Sequence, residues 1–406
     1  MKLAQLLCLF DVASIASAID PRFSPKGSTI NYPGIQFGRD GKLSITVFSD
    51  LHFGEPVIAR NRPNADMKTL GVMNSILEIE RPNLVVLNGD LTSCEWVASQ
   101  DVNTLVGQIL APLINRSLPF AATFGNYDAS KTCSTRSMSE RMWNTKDKNG
   151  QRLSFTTSSV PGPDDIVGTS NYFVPVYSSS DKNKLAMLLW FFDSRGGRVY
   201  QPSGDEIPVD GWVNEEVVSW FRRTNNEFRQ RYSRVIPSLA FFHIPIYATR
   251  VFQKDGGRTG ATEPGLDEEL IGHQGEICDK TGNCKPNSAD TPFVQALIED
   301  GVRAVFSGHD HGVDWCMKWS KNLPDIVPTN GFGMNICFNR HSGYGGYTDW
   351  ARGGRQIVIQ EDKIGRNGID TWIRLENGKV SGRVTLNSTY GADHYPEVKK
   401  QKTFVS

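Results

Sequence analysis

The sequence predicts an α/β protein, and three observations carry that expectation. Short apolar runs recur along the 406-residue chain, stretches of helical periodicity separate them, and residues able to bind metal follow most of the runs. The runs are Ile45–Phe48, Leu84–Leu87, Phe120–Phe124, Leu185–Phe192, Leu239–Phe242 and Val302–Phe306. Most are continuous rather than alternating, as strands covered on both faces are.

Between the first two runs, Asp66 is expected to cap a helix from Met67 to about Arg81. Leu70, Met73, Ile76 and Leu77 form its apolar stripe and Pro82 ends it. Asp101 is expected to cap a second helix carrying Leu105, Val106, Ile109 and Leu110. A third is expected from about Asn214 through Trp220 and Phe221 to Arg231, and a fourth opens with Thr291-Pro292 and closes at Gly301. No repeat or long Pro/Gly/Ser linker divides the chain, so one domain, residues 19–406, is the simplest organisation.

Lys plus Arg and Asp plus Glu both number 44, so the net charge is zero and a nonspecific nucleic-acid binder is not expected. Met1-Lys2, the apolar Leu3–Phe10 and the small residues Ala16-Ser17-Ala18 read as a signal peptide over residues 1–18. No later stretch reaches the roughly 18 apolar residues of a membrane span. A soluble protein of the cell exterior, cell wall or vacuole is therefore expected. The six cysteines after Cys8, namely Cys94, Cys133, Cys278, Cys284, Cys316 and Cys337, allow three disulfides, of which only Cys278 with Cys284 is suggested by proximity. Asn115 and Asn387 open triplets that accept N-glycans in a secreted chain.

Directly after the apolar runs come Asp50-Leu-His52, Asn88-Gly-Asp90, Gly125-Asn126-Tyr127-Asp128, His243 and Gly308-His309-Asp310-His311. The carboxyl ends of buried strands are where α/β sheets place their sites. In an extended chain the i, i+2 spacing of Asp50 and His52 puts both on one face and within reach of one ion, and His309 and His311 repeat it. Carboxylate, imidazole and amide oxygen without thiolate suit Zn, Fe or Mn. Seven candidate ligands, Asp50, His52, Asp90, Asn126, His243, His309 and His311, are too many for one ion but enough for two that share Asp90. Two such ions lower the pKa of a shared water and stabilise the attacking and leaving oxygens of a displacement at phosphorus.

These five blocks resemble the pattern of the calcineurin-like metallophosphoesterases, Asp-x-His, Gly-Asp, Gly-Asn-His-Asp, a lone His and Gly-His-x-His. Phe191-Phe-Asp193, His273-Gln-Gly-Glu276, Asp314-Trp-Cys316 and Asn335-Ile-Cys337 look like the small purple-acid-phosphatase-like branch of plants and fungi. The resemblance implies two mixed β-sheets packed face to face and flanked by helices. It implies Asp50, His52 and His311 on one ion, Asn126, His243 and His309 on a second, and Asp90 between them. It further implies hydrolysis of a small phosphate ester through a metal-bridging hydroxide. Purple members have a tyrosinate three residues after the bridging Asp; Ser93 stands there, so no purple colour is expected. Tyr127 replaces the usual His, which works with the following Asp, here Asp128, on the leaving group or water. That departure leaves room for a non-catalytic metal-bearing binding protein, and a phosphodiesterase of the same superfamily is the other alternative. Arg195, Arg340 and His341 are either phosphate contacts or solvated surface groups.

Overall fold

All six expected runs are strands, and they divide between two sheets. The protein is described here from a computed structural model over residues 35–57, 63–278, 284–347, 349–366 and 368–399. Residues 1–18, read as a signal peptide, lie outside that range. Strands numbered in chain order form a seven-stranded sheet in the spatial order β1 (Ile35–Gln36), β5 (Tyr172–Tyr177), β6 (Leu185–Phe191), β7 (Ser238–Phe241), β10 (Val302–Ser307), β12 (Met334–Phe338) and β11 (Cys316–Trp319). A six-stranded sheet runs β15 (Val380–Leu386), β14 (Ile369–Leu375), β13 (Gly353–Gln360), β2 (Lys42–Phe48), β3 (Leu84–Asn88) and β4 (Phe120–Thr123). β8 (Glu276–Cys278) and β9 (Cys284–Pro286) make a separate hairpin in which Cys278 faces Cys284 in register.

The centre of each sheet is parallel. β2, β3 and β4 run together, as do β6, β7, β10 and β12, while β13, β14 and β15 add an antiparallel meander. The sheets pack face to face, as the resemblance implies. Ile45, Val47, Leu84 and Val86 meet Leu189, Leu239, Phe241 and Phe306 in one buried cluster. Strand side chains alternate between faces, so the intervening residues Phe48, Val85 and Leu87 point the other way. They pack on helices α1 (Ala65–Glu80) and α2 (Val102–Asn115) through Val72, Met73, Val106 and Ile109. Two-sided burial is the physical reason these strands are continuously apolar.

The outer face of the larger sheet is aromatic. Trp190 lies edge-on to Phe221, 4.8 Å between ring centroids, and Phe192 to Phe293, 4.9 Å. These partners belong to α5 (Glu215–Tyr232) and α7 (Thr291–Glu299), which follow α3 (Thr135–Trp143), α4 (Asp164–Val167) and α6 (Tyr247–Asp255) in the numbering. Asn214 caps α5 by accepting from the Glu216 N–H at 2.9 Å, and α7 opens with its proline as expected. Asp66 corrects the expectation for the first helix. The cap position is Asn64, and the Asp66 carboxylate sits in the first turn, where it accepts from the Gly54 N–H at 3.2 Å. It anchors a neighbouring loop instead of its own helix end.

Cys94–Cys133 and Cys316–Cys337 are disulfide-bonded. Among the described residues no helix is long and apolar enough to cross a membrane.

Candidate metal centre

Five parallel strands, three from one sheet and two from the other, end at the same place. Asp50 and His52 follow β2, Asp90 follows β3, Asn126 follows β4, His243 follows β7, and His309 and His311 follow β10. Asn88, the last residue of β3, ties the two sheets there: its Nδ2 donates to the Phe242 carbonyl at 3.1 Å and the Phe306 carbonyl at 3.2 Å. The side chains beyond it gather into two sets able to hold a metal ion, Asp50 with His52 and His311, and Asp90 with His243 and His309. Asp90 stands between the sets. Its Oδ2 is 3.0 Å from His243 Nε2 and 3.8 Å from His52 Nε2.

The route by which Asp50 and His52 meet differs from the sequence expectation. Both are in the left-handed backbone region, φ 57° and 49°, so side-chain alternation along an extended strand does not bring them together. Asp90 and His309 are left-handed too, φ 50° and 76°. Such backbone costs on the order of 1 kcal/mol or more per residue and gathers at functional sites, where the surrounding structure enforces it. His309 and His311 likewise do not share an ion site, because a turn sends them to different sets. At Gly89, φ 85°, a Cβ would overlap the His243 ring, which is why the block reads Asn-Gly-Asp.

Three of the four imidazoles, those of His52, His243 and His311, are presented as metal ligands usually are, with the far nitrogen held by an outer partner. His243 Nδ1 donates to the Asn88 carbonyl at 2.9 Å and His311 Nδ1 to the Tyr347 carbonyl at 2.8 Å, so in the neutral ring each Nε2 offers a lone pair. His52 Nδ1 is 2.9 Å from Ser93 Oγ, and its Nε2 is 3.2 Å from that of His311. Two such nitrogens facing each other are a poor hydrogen bond and a good pair of ligands. Among the described residues Asn126 Oδ1 and His309 Nδ1 are buried with no hydrogen-bond partner, a costly condition that an ion would relieve. The donor set fits a hard or borderline cation.

Without an ion the charges are unevenly matched. Burial alone would raise Asp90, but the charge of His243, its hydrogen bond, and His52 and His309 hold the carboxyl well below the usual range. Burial would lower His243, but Asp90 and then Asp50 push it up to about 10. Burial, with the His243 charge, pushes His309 down to about 4, and burial raises Asp50 to about 7 against the pull of His243. The ion-free centre thus keeps a proton on His243.

Tyr127 donates its backbone N–H to Asp90 Oδ1 at 2.8 Å, and its ring lies edge-on to His52 with centroids 5.1 Å apart. Asp128 is fully buried. It accepts from the N–H groups of Leu91, Thr92 and Gly125, each at 2.9 Å, which makes it a clamp between the loops after β3 and β4. Arg195 and Arg340 are not solvated surface groups but buried ones. Arg195 donates to the carbonyls of Trp212 and Asp165, and Arg340 forms a buried ion pair with Asp314 at 2.7 Å. His341 is buried against His311, ring centroids 3.9 Å apart. Sequence reasoning missed Tyr347, whose ring stacks on His311 at 4.0 Å. The close approach of Gly346 to the rings of His52 and His311, which needs a residue without Cβ, was its one available signal.

Residues 43–313 match the sequence profile of the calcineurin-like phosphoesterases. The chain is 25% identical over 393 residues to "Probable inactive purple acid phosphatase 29" of Arabidopsis thaliana, covering 88% of both chains. It is 28% identical to "Phosphatase DCR2" of Saccharomyces cerevisiae over 83% of this chain and 54% of that protein. Among solved structures, a dimetal phosphatase from Danio rerio superposes with a TM-score of 0.47 at 12% identity, over 85% of this chain and 98% of that one.

Proposed function

The chain belongs to the calcineurin-like phosphoesterase family, and on that premise we propose that it is a secreted, metal-dependent phosphoesterase acting on phosphomonoesters. In this reading residues 1–18 are a signal peptide and 19–406 one domain. Asp50, His52 and His311 hold one ion, Asn126, His243 and His309 a second, and Asp90 is shared. The observation that carries the reading is the place of Asp90 Oδ2, within 4 Å of an imidazole nitrogen of each set. Fe, Zn or Mn bound there would supply an acidified water and charge stabilisation at phosphorus.

The protein's own groups supply the rest. Asp128 clamps the turn that carries Asn126 and Tyr127, so both are presented in a fixed orientation. The Tyr127 phenol, beside His52, serves as a hydrogen-bond donor to a phosphate oxygen or leaving group. It carries no positive charge, so leaving-group assistance is weak. The disulfides Cys94–Cys133 and Cys316–Cys337 are compatible with an oxidising compartment.

A second reading, a metal-bearing protein without turnover, draws on the word "inactive" in the name of the Arabidopsis relative and on the missing imidazole at Tyr127. The test is purified protein loaded with Mn, Zn or Fe and assayed on aryl and alkyl monoesters and on diesters. Two bound ions with hydrolysis, fastest on aryl monoesters, is the expected result. Preference for diesters would replace the substrate class, two ions without hydrolysis would support the second reading, and protein that binds no ion would overturn both.

A further inference from the structure

Of the three histidines that hold Nδ1 against an outer partner, His52 is held differently. His243 and His311 face backbone carbonyls, which can only accept, so the Nδ1–H tautomer is settled by the backbone. The partner of His52 is the hydroxyl of Ser93, which can donate or accept, and by itself leaves the ring free to take either tautomer. Ser93 Oγ has a second neighbour, Glu55 Oε1, at 3.0 Å. A carboxylate only accepts, so the single hydroxyl proton points to Glu55, the oxygen must accept from His52, and Nδ1 must carry the hydrogen. The lone pair of Nε2 is then turned toward Asp90 and His311.

We propose that Glu55 and Ser93 are positioning residues that lock His52 as a metal ligand. The inference rests on the ion assignment under Proposed function. Other details of the geometry agree with it. Ser93 is fully buried, and the other carboxylate oxygen of Glu55 is buried with no hydrogen-bond partner among the described residues. The loop is pinned in place by Asp66, which accepts from the N–H of Gly54. A carboxylate acting through a hydroxyl also increases the basicity of the ring it orients, and outer partners of this kind are worth about 10- to 100-fold in metal affinity.

Glu55→Gln removes the charge and lets an amide N–H donate to Ser93, which frees the hydroxyl to donate to His52 and favours the wrong tautomer. Ser93→Ala removes the link. The experiment is a competition titration of the full-length protein with Zn(II), together with the visible absorption spectrum of the Co(II) form, for wild type, Glu55→Gln and Ser93→Ala. Expected is a loss of about 10- to 100-fold in affinity at one of two sites, a changed Co(II) spectrum, and an unchanged melting temperature of the ion-free protein. Ser93→Thr, which keeps the hydroxyl, should restore most of the affinity. Two-ion binding and spectra identical to wild type in both Glu55→Gln and Ser93→Ala would overturn the inference alone. Wild-type protein that binds no ion would overturn it together with the functional reading.

Discussion

At the scale of single residues, the centre is governed by proton placement. His243 is held protonated to about 10 by Asp90, with which it shares a 3.0 Å contact. An ion needs the neutral ring, so below that pH binding must expel the proton and apparent affinity should rise with pH, by up to about tenfold per unit. Raised folded-state pKa means that the proton stabilises the ion-free protein at neutral pH and is lost only near 10. Calorimetric titration with Zn(II) at pH 7.5 in buffers of different ionisation enthalpy should show release of about one proton from this group; no release would contradict the assignment. Tyr127 makes a second case. General acid assistance is typically worth about 100- to 10,000-fold, and a phenol supplies little of it. Tyr127→His is expected to raise turnover most on alkyl phosphates, and Tyr127→Phe to lower it modestly with both ions retained. Steady-state rates on matched aryl and alkyl esters decide this, and Tyr127→Phe at wild-type rates on every ester would remove Tyr127 from the chemistry.

Among elements, the loops after β3 and β4 are joined by Asp128 and by Cys94–Cys133, which closes a sequence separation of 39 residues. A native disulfide is typically worth about 2–4 kcal/mol. Dithiothreitol should therefore lower the melting temperature by several degrees, an effect absent from a variant lacking all the paired cysteines. The aromatic layer under α5 is a separate matter, since it packs on the far side of the larger sheet. Phe221→Ala removes a fully buried ring stacked edge-on to Trp190 and should cost about 3–5 kcal/mol in chemical denaturation, while the ion stoichiometry of the folded fraction stays at wild-type level.

On the scale of the whole molecule, the candidate ligands come from loops of both sheets, so bound ions would act as a cross-link between the two halves of the sandwich. A ligand present at about 100 times its Kd adds about 2.7 kcal/mol to the folded state. Removing ions with a chelator should lower the melting temperature, and adding back Zn(II) should restore it, whereas Asp90→Asn, which weakens both sets at once, should respond little to either. A chelator without effect on wild-type protein would show that no ion bridges the sheets.

Much of this was determined by the sequence alone. Parallel strands buried on both faces must be apolar throughout, so β2, β3, β4, β6, β7 and β10 were visible as uninterrupted runs, and the ligand blocks were visible because they follow those runs directly. The meander β13 to β15 was not visible, because one of its most buried side chains is Arg355, which donates to the Phe338 carbonyl at 2.7 Å and to Thr371 at 2.8 Å. A guanidinium in the core reads as surface until its partners are known, and Arg340, paired with Asp314, was misjudged for the same reason. Spacing along the chain could not sort the ligands into two sets, since left-handed turns at Asp50, His52, Asp90 and His309 override the alternation it implies; the family pattern gave the sorting, and only the tertiary structure gives its geometry. Tertiary structure also decided the outer partners Asn88, Tyr347, Ser93 and Glu55, which lie far along the chain from most of the rings they serve and whose roles come only from where the two sheets bring their strand ends together.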